Sequence, residues 1–387
     1  FLLLDTDGEL KLNPDESVFK NIGSVTGAVF SDVDNDGDSD LLLARRWNSP
    51  LLYINNGGKF NDQSDRWGLD GYHGYWNGVA AGDFNADGLM DFVMTNLGRN
   101  NRYHPHLKEE IRLHVSDFNG DGIYEGVESI VDKYLAKRVP MRDMDTLAKV
   151  MPWIRDMFPS YHAFGQASVD LLFEPLETLP VVLKLNTLET SLFINKGNAF
   201  VRSALPIESQ FAPALGCSVA DFDGDGHEDI YLGQNFFDVE SESTRHDAGR
   251  GQILLGDGNG QFRVLSHLES GVSVLGQARS TVVSDLNGDG RVDIVTGQNN
   301  GQAKIYYNKT GKQGTRIFLR GHHLNPAAIG ASLTLLAGNN RGSKRELRLG
   351  TGYLSQDGLG QLIVGDDAGF TLEVRWPGAA VSRYAIP

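Results

Sequence analysis

Short apolar runs recur along the chain, each followed by a polar turn rich in aspartate and glycine and then by a second apolar run. The first runs of four such pairs are Gly27-Ala-Val-Phe30, Gly78-Val-Ala-Ala81, Cys217-Ser-Val-Ala220 and Thr281-Val-Val-Ser284. The second runs are Leu41-Leu-Leu-Ala44, Phe92-Val-Met-Thr95, Ile230-Tyr-Leu-Gly233 and Ile294-Val-Thr-Gly297. Such short runs between turn residues are typical of β-strands rather than amphipathic helices. The pattern therefore predicts repeated β-hairpins.

The polar turn has the same nine-residue pattern in five places. Oxygen-bearing side chains occupy positions 1, 3, 5 and 9, and glycine occupies position 6, where it allows a sharp turn because it has no Cβ. The side chains are Asp32, Asp34, Asp36 and Asp40; Asp83, Asn85, Asp87 and Asp91; Asp117, Asn119, Asp121 and Glu125; Asp221, Asp223, Asp225 and Asp229; and Asp285, Asn287, Asp289 and Asp293.

Oxygens at alternate positions of a tight loop can all point inward, which suits a hard cation. Calcium binds six to eight oxygen ligands at about 2.3–2.6 Å, and a backbone carbonyl at position 7 would add to the side chains. The residues at position 7 are Asp38, Leu89, Ile123, His227 and Arg291. No thiolate or imidazole occupies a side-chain ligand position, so zinc and copper are disfavoured. We therefore expect about five calcium ions.

The EF-hand is the alternative kind of calcium loop, and it needs a helix on each side and a glutamate at position 12. Position 12 holds Leu43, Met94, Leu232 and Thr296 in four copies. Only the third copy has a glutamate there, Glu128. The flanking strands and position 12 together favour a hairpin loop. Because the third copy also has Glu125 at position 9, we expect it to bind its ion differently.

A third strand with a polar end follows several hairpins. These strands are Leu52-Tyr-Ile-Asn55, Leu192-Phe-Ile-Asn195, Ile253-Leu-Leu-Gly256 and Ile305-Tyr-Tyr-Asn308. A repeated unit of strand, loop, strand, turn and strand is typical of a propeller blade. The long gap between the third and fourth loops, from Asp117 to Asp221, leaves room for a blade without a metal loop, marked by Leu192 to Phe200, and for an insertion.

The loops and the strand-end pattern Leu-(Phe/Tyr)-x-Asn-x-Gly-x-Phe resemble FG-GAP/VCBS repeats, the blade units of integrin α-subunit heads. This resemblance implies an all-β, integrin-α-like β-propeller of six or seven blades, with seven the expected closure. We place the propeller at residues 1–312, with a helical insertion at about 126–180, and a small β domain at residues 313–387.

Within the insertion, residues 143–158 have apolar residues at helical spacing, and Asp143 or Asp145 is suitably placed to cap a helix. Pro152 is expected to kink or restart it. We expect a lid packed on a propeller edge; the alternative is a surface that binds a partner or covers a substrate.

The C-terminal region contains four alternating segments that predict a small antiparallel sheet: Arg316–Leu319, Ser332–Leu336, Lys344–Leu349 and Thr371–Trp376. Residues 325–331, 350–356 and 376–378 resemble the ASPIC/UnbV domain, which follows FG-GAP blades in proteins similar to cartilage acidic protein, including many exported bacterial ones. The segment Asn96-Leu-Gly98 resembles a pattern of the bacterial members. The resemblance, and the roughly millimolar calcium that such loops require, imply an extracellular, cell-surface or periplasmic location.

Charge and composition narrow the class of partner. The net charge of −15 over 387 residues argues against nucleic acid, which needs a basic surface. Of the 50 acidic residues, 17 stand at the proposed ligand positions. Cys217 is the single cysteine, so no intrachain disulfide can form, and no apolar run reaches the roughly 20 residues of a membrane-spanning helix. The chain begins at Phe1 in a strand-like run, so its start carries no information on targeting.

No catalytic motif is recognisable, so two functions stay open. The first is an exported scaffold that presents a propeller face to a protein or glycan partner; the second is an enzyme that uses the central funnel, acting on a carbohydrate or natural product. A deep funnel that holds paired carboxylates or an Arg/Tyr/His constellation within hydrogen-bond reach would favour the enzyme, and a flat, solvated channel mouth would count against it. Residues of interest are Tyr72, His73, Tyr75 and Trp76, which form a ligand-stacking or inter-blade cluster; the loop residues Arg142, Arg245, His246, Asp247 and Arg250; and the histidine pairs His104/His106 and His322/His323, which we interpret as surface residues.

Overall fold

The predicted hairpins form, and most of them join further strands in antiparallel sheets. The computed structural model describes residues 3–6, 9–12, 16–240, 243–337, 340–364, 370–378 and 380–386. Strands account for 40% and helices for 9% of the residues, which confirms the all-β class. Phe1 and Leu2 of the predicted first strand lie outside the described residues.

Blade sheet 1 follows an N-terminal hairpin of β1 (Leu3–Thr6) and β2 (Glu9–Leu12) and a 3-10 helix (Glu16–Phe19). Its strands run in the order β3 (Ser24–Ser31), β4 (Asp40–Asn48), β5 (Leu51–Asn56) and β6 (Lys59–Asp62). The short strand β7 (Gly74–Tyr75) pairs with the end of β4, where Tyr75 lies opposite Arg46.

Blade sheet 2 begins with β8 (Gly78–Gly82) and β9 (Asp91–Thr95) and is then interrupted by an inserted sheet. That sheet has the order β12-β11-β10-β13 and consists of β10 (Ile111–Ser116), β11 (Glu125–Asp132), β12 (Lys137–Pro140) and β13 (Val181–Leu185), after a 3-10 helix (His104–Glu109). Blade sheet 2 is completed by β14 (Ser191–Asn195), which pairs with β9, and by β15 (Phe200–Ala204).

The prediction of a separate blade at Leu192 to Phe200 is therefore wrong. Leu192 lies opposite Val93, and Phe193 lies opposite Phe92, so these residues form the outer half of blade sheet 2. The two halves are about 100 residues apart in the chain because the insertion extends from residue 96 to residue 190.

The predicted helices lie inside this insertion: α1 (Met144–Leu147), α2 (Ile154–Met157), α3 (Tyr161–Gly165) and α4 (Val169–Leu172). Asp143 caps α1 by accepting a hydrogen bond from the Thr146 N–H, as predicted, and Pro152 lies in the break between α1 and α2. The apolar faces pack on Val127 of β11 and on Phe118 of the loop between β10 and β11, and the ring centres of Phe118 and Phe173 are 5.7 Å apart in a stacked arrangement. The helices thus cover the inserted sheet.

Two further blade sheets follow. Blade sheet 3 consists of β16 (Ala214–Ala220), β17 (Asp229–Gln234), β18 (Gln252–Gly256) and β19 (Phe262–Leu265), after a 3-10 helix (Ile207–Gln210). Blade sheet 4 follows α5 (His267–Ser270) and consists of β20 (Gln277–Ser284), β21 (Asp293–Asn299) and β22 (Lys304–Tyr306).

The first strands of the four blade sheets lie side by side in the order β3, β8, β16, β20. Glycine allows this close approach: a Cβ on Gly78 would lie 2.6 Å from the Leu215 carbonyl oxygen, and one on Gly216 would lie 2.7 Å from Cγ2 of Thr281. The described residues contain these four blade sheets, and closure into a ring of six or seven blades stays a prediction.

The C-terminal region forms two small sheets. One pairs β23 (Thr315–Ile317) with β27 (Gln361–Ile363). The other contains β24 (Ser332–Ala337), β25 (Asn340–Arg341), β26 (Arg345–Glu346), β28 (Phe370–Arg375) and β29 (Val381–Ile386). All four segments predicted as strands contribute, although the third is reduced to two paired residues.

Candidate metal centres

All five aspartate loops form the turns of antiparallel hairpins, as predicted. The residue before each loop lies opposite position 9, in the pairs Ser31–Asp40, Gly82–Asp91, Ser116–Glu125, Ala220–Asp229 and Ser284–Asp293. The hairpin assignment is thereby confirmed against the EF-hand. Four loops belong to the blade sheets, and the third belongs to the inserted sheet.

Each loop has two left-handed backbone positions, of which the sequence indicated one. Position 6 is glycine in every copy, with φ of 102°, 86°, 86°, 93° and 79° at Gly37, Gly88, Gly122, Gly226 and Gly290. Position 4 is also left-handed, with φ of 63°, 54°, 76°, 76° and 76° at Asn35, Ala86, Gly120, Gly224 and Gly288. A Cβ is costly in this region, and asparagine tolerates it better than alanine, so Ala86 is the most strained member of the set.

In the first loop, one oxygen each of Asp32, Asp34 and Asp40 lies within 4.8 Å of the others. Asp32 Oδ2 accepts a hydrogen bond from the Gly37 N–H at 3.2 Å, whereas Asp32 Oδ1 is buried without a hydrogen-bond partner. Burial raises the pKa of the Asp32 carboxyl group despite the charge of Lys344 nearby. A buried carboxylate oxygen without a donor, beside two further carboxylates, fits a bound cation.

The fourth loop has the same capacity, because Asp221, Asp223 and Asp225 also bring one oxygen each within 4.8 Å. The other loops have asparagine at position 3. There Asn85, Asn119 and Asn287 donate a side-chain N–H to the aspartate at position 5, at 2.8–3.1 Å. The opposite amide orientation would offer the oxygen to a cation, but without a negative charge. The first and fourth loops are therefore the strongest candidate calcium sites.

The carboxylate at position 9 has a second role that the sequence pattern did not reveal. Asp40 accepts the N–H of Val33 and the N–H of Asn55, each at 2.8 Å, and so joins the start of the loop to the third strand. Asp91, Asp229 and Asp293 make the corresponding pairs of hydrogen bonds. Burial raises the pKa of Asp40 to about 7 and the pKa values of Asp91 and Asp229 to about 8.

The asparagine that ends a third strand connects neighbouring blade sheets. Asn195, in blade sheet 2, donates to the carbonyl oxygen of Val33 in the first loop at 2.9 Å. Asn308, in blade sheet 4, donates to the carbonyl oxygen of Phe222 in the fourth loop at 2.6 Å. The repeated asparagine was visible in the sequence, but its partner in the neighbouring sheet was not.

A C-terminal segment, residues 344–346, lies against three of the blade loops. The Lys344 N–H donates to Asp83 Oδ2 at 2.9 Å, and Arg345 Nη2 lies 3.3 Å from Asp221 Oδ2. Glu346 accepts hydrogen bonds from the Ser31 hydroxyl and the Asp32 N–H. A separate contact joins Arg316 Nη2 to Asp285 Oδ2 of the fifth loop at 3.1 Å. Sequence reasoning assigned these residues only to a strand.

The third loop lies apart from these contacts, and its residues 119–124 are exposed. Its position-12 residue, Glu128, is not aimed at the loop: its carboxylate accepts hydrogen bonds from the Tyr103 hydroxyl and from Arg142. The different behaviour expected of the third loop stays a prediction.

Five of the other residues singled out in the sequence fall into two groups. Cys217 and Trp76 are buried, and the indole of Trp76 packs on Phe193, so both are core residues. Tyr75, Arg142 and His246 instead line one cavity at the ends of the blade sheets opposite the metal loops. Arg46 and Arg102 line the same cavity and were missed, since no local pattern distinguishes them from surface arginines.

Comparison with known proteins supports the repeat assignment. Residues 32–94, which contain the first two loops, match the FG-GAP-like repeat family, so this part of the chain is an FG-GAP-like repeat. The rest of the predicted family assignment, including the ASPIC/UnbV-like domain, stays a prediction. No curated protein sequence matches the chain.

Two solved structures resemble it at low identity. One is the exotype rhamnogalacturonan lyase YesX, 14% identical, covering 79% of this chain and 52% of that one, with a TM-score of 0.23. The other is the V. cholerae biofilm matrix protein Bap1, 10% identical, covering 94% and 62%, with a TM-score of 0.22. The chain thus spans less than two thirds of the length of either protein. No helix of the described part is long and apolar enough to cross a membrane.

Proposed function

We propose that this chain is an exported calcium-binding scaffold of β-propeller type, which holds its blade sheets in place with loop-bound calcium and presents a face to a protein or glycan partner. The observation that carries the calcium proposal is the first loop, where Asp32, Asp34 and Asp40 converge and Asp32 Oδ1 is buried without a donor. The FG-GAP-like match over the same residues supports it.

Asp32, Asp34, Asp36 and Asp40 would hold calcium in the first loop, and Asp221, Asp223, Asp225 and Asp229 in the fourth, with the carbonyls of Asp38 and His227. Bound calcium would supply positive charge that cancels the repulsion among these carboxylates. Two kinds of side chain connect the loops to the sheets. The position-9 carboxylates join each loop to the third strand of its own sheet, and the third-strand asparagines join a loop to the neighbouring sheet. Calcium binding is in this way coupled to blade packing.

Isothermal titration of the full chain with calcium, after passage over a chelating resin, tests this proposal. Binding to the folded state alone stabilises it by about 2.7 kcal/mol per site at a hundredfold excess over Kd. We therefore expect saturable binding together with a marked rise in melting temperature. An unchanged melt and no binding heat would refute the calcium sites.

Two variants test which loop binds. Asp225→Ala removes a carboxylate from the converging group of the fourth loop and should abolish a strong site. Asn119→Ala, in the exposed third loop, removes a neutral amide and should have a smaller effect on total binding. Equal losses in the two variants would contradict the ranking of the loops by charge.

The proposal also includes a role in partner binding and a location outside the cytoplasm. Loops of this kind need the roughly millimolar calcium of extracellular or periplasmic fluid. A glycan array probed with the calcium-loaded chain, and again after calcium removal, tests the binding role. Calcium-dependent recognition of defined glycans would support the binding role. Equal signals in both conditions would show that glycan binding does not depend on calcium.

A further inference from the structure

Arg46 lies at the boundary of two cavities, each of about 360 Å³. The outer cavity lies where β4 and β9 end and where β8 and β16 begin, opposite the metal loops. Its apolar lining includes Tyr75, Leu97, Tyr103, Pro213 and Phe236. A volume of this size is at the lower end of the range for small-molecule sites, which are mostly apolar with a few placed polar groups.

The other charges at this cavity are paired among themselves. Arg142 contacts Glu128 and Glu240, and Arg102 lies 3.8 Å from Glu128. On the opposite wall, Asp238 forms an ion pair with Arg279, whose Nη2 lies 2.7 Å from Asp238 Oδ2. Among the described residues, each of these charges thus has a partner of opposite sign.

Arg46 is different, since the described residues place no carboxylate within ion-pair distance of it. Its Nη2 donates to Asn77 Oδ1 at 3.2 Å, and its guanidinium carbon lies 4.7 Å from the centre of the Tyr75 ring. Nε is buried and has no hydrogen-bond partner. A buried donor on a cation costs free energy unless an acceptor meets it. Because Nε is closed to ligands, a negatively charged group in the cavity would pair with the Nη atoms of this guanidinium and balance its charge.

We infer that the outer cavity binds a small organic monocarboxylate with a flat apolar body. Its carboxylate accepts from the Nη donors of Arg46, because a planar guanidinium matches the two oxygens of a carboxylate. Its flat body lies against Tyr75, Tyr103 and Phe236, whose rings offer apolar contact surface. Among the described charges of this cavity, Arg46 is the one without a partner of opposite sign, and its single positive charge matches a monoanion better than a dianionic phosphate ester. This site is separate from the metal loops and from their proposed role.

Benzoate is a suitable probe, titrated into the calcium-loaded full chain and followed by ligand-observed NMR. Benzamide has the same shape without the charge and should bind at least about tenfold more weakly, because a hydrogen bond to a charged group is worth more than a neutral one. Phenyl phosphate, a dianion, tests whether the site prefers one negative charge or two, and it should not bind more tightly than benzoate. The inference is overturned by absent benzoate saturation, by equal binding of benzamide, or by a clear preference for phenyl phosphate.

Variants locate the site. Arg46→Gln should weaken benzoate binding at least about tenfold, and Arg46→Lys should lose less because it keeps the charge. Arg155→Gln, on an exposed helix of the insertion, is the matched control and should leave binding unchanged. Melting curves of each variant identify a folding defect, and the benzoate and benzamide comparison on the unaltered chain decides the question without any substitution. Undiminished binding in folded Arg46→Gln would place the site elsewhere.

Discussion

Arg345 places its guanidinium 3.3 Å from Asp221 Oδ2, the first ligand position of the fourth loop, although the two residues are 124 positions apart. The same guanidinium contacts Glu228, the residue just before position 9. A C-terminal side chain thus occupies one flank of a candidate calcium site. The charge of Arg345 partly neutralises Asp221 and Glu228, and it would compete for Asp221 with the calcium ion proposed for this loop.

We predict that Arg345→Gln destabilises the calcium-free protein by about 3 kcal/mol, because it leaves two buried carboxylates without their cation. The loss should be smaller with saturating calcium, which supplies charge to Asp221. Urea unfolding with and without calcium measures both values. Arg316→Gln is the comparison, since Arg316 is more exposed and should matter less. An equal loss in both conditions would show that Arg345 and calcium do not share Asp221.

Ala86 should limit the stability of the second loop. Ala86→Gly relieves a left-handed alanine and is expected to stabilise by about 0.5–1 kcal/mol, the strain minus the added chain entropy of glycine. Gly224→Ala should destabilise, because its Cβ would lie 2.7 Å from Cβ of Lys312. Gly120→Ala, with open space around its Cβ, isolates the backbone strain. The melting temperature should decrease in the order Ala86→Gly, unaltered chain, Gly120→Ala, Gly224→Ala. Any other order would contradict this account of position 4.

Asn195 is fully buried and holds blade sheets 1 and 2 together through Val33. Asn195→Leu removes this hydrogen bond and a second one to the Met90 carbonyl, and leaves both acceptors buried. The expected loss is about 3 kcal/mol in the free energy of unfolding. The exposed residue Asn198 provides the control, and Asn198→Ala should change stability little. A neutral Asn195→Leu would mean that water replaces the lost donor.

The stability of the calcium-free protein should fall as pH rises. Burial raises the pKa of Asp91 and Asp229 to about 8 and the pKa of Asp40 to about 7, all above the value of an unfolded aspartate. These three groups therefore bind more protons in the folded state than in the unfolded state between about pH 4 and pH 8, and their ionisation costs stability. Burial lowers the pKa of His114 to about 4, which acts in the opposite direction below about pH 6.5, so the fall in stability should be clearest above that pH.

Calcium requires ionised carboxylates, so its effect should run in the opposite direction. The rise in melting temperature on calcium addition should be small near pH 5 and large near pH 8. Melts of chelator-treated protein across this range, with and without calcium, measure the difference. A calcium effect that is constant over pH would show that these carboxylates are already ionised in the calcium-free fold.

The sequence predicted the loops more completely than it predicted the pairing of strands into sheets. A hairpin loop is built from adjacent residues, so its aspartates, its position-6 glycine and its strand flanks were all visible, as was the Asp143 cap. The sequence did not show that Leu192 belongs to blade sheet 2. The paired strands β14 and β9 are about 100 residues apart in the chain, so their pairing leaves no local pattern. The left-handed conformation at Ala86 was hidden for another reason, since alanine usually avoids it.

The sequence by itself determined that the chain contains β-hairpins with acidic loops. The apolar runs and the acidic loop residues that form each hairpin lie within a few neighbouring positions, so a local pattern is enough to predict them. Only the tertiary structure decided which acidic loops meet another charge. Lys344, Arg345 and Glu346 reach three loops whose positions in the chain are far from theirs. Arg46 has no ion-pair partner among the residues that the structure describes, although many acidic residues surround it in the sequence. Such contacts depend on how the sheets pack, and packing brings together residues that no local pattern relates.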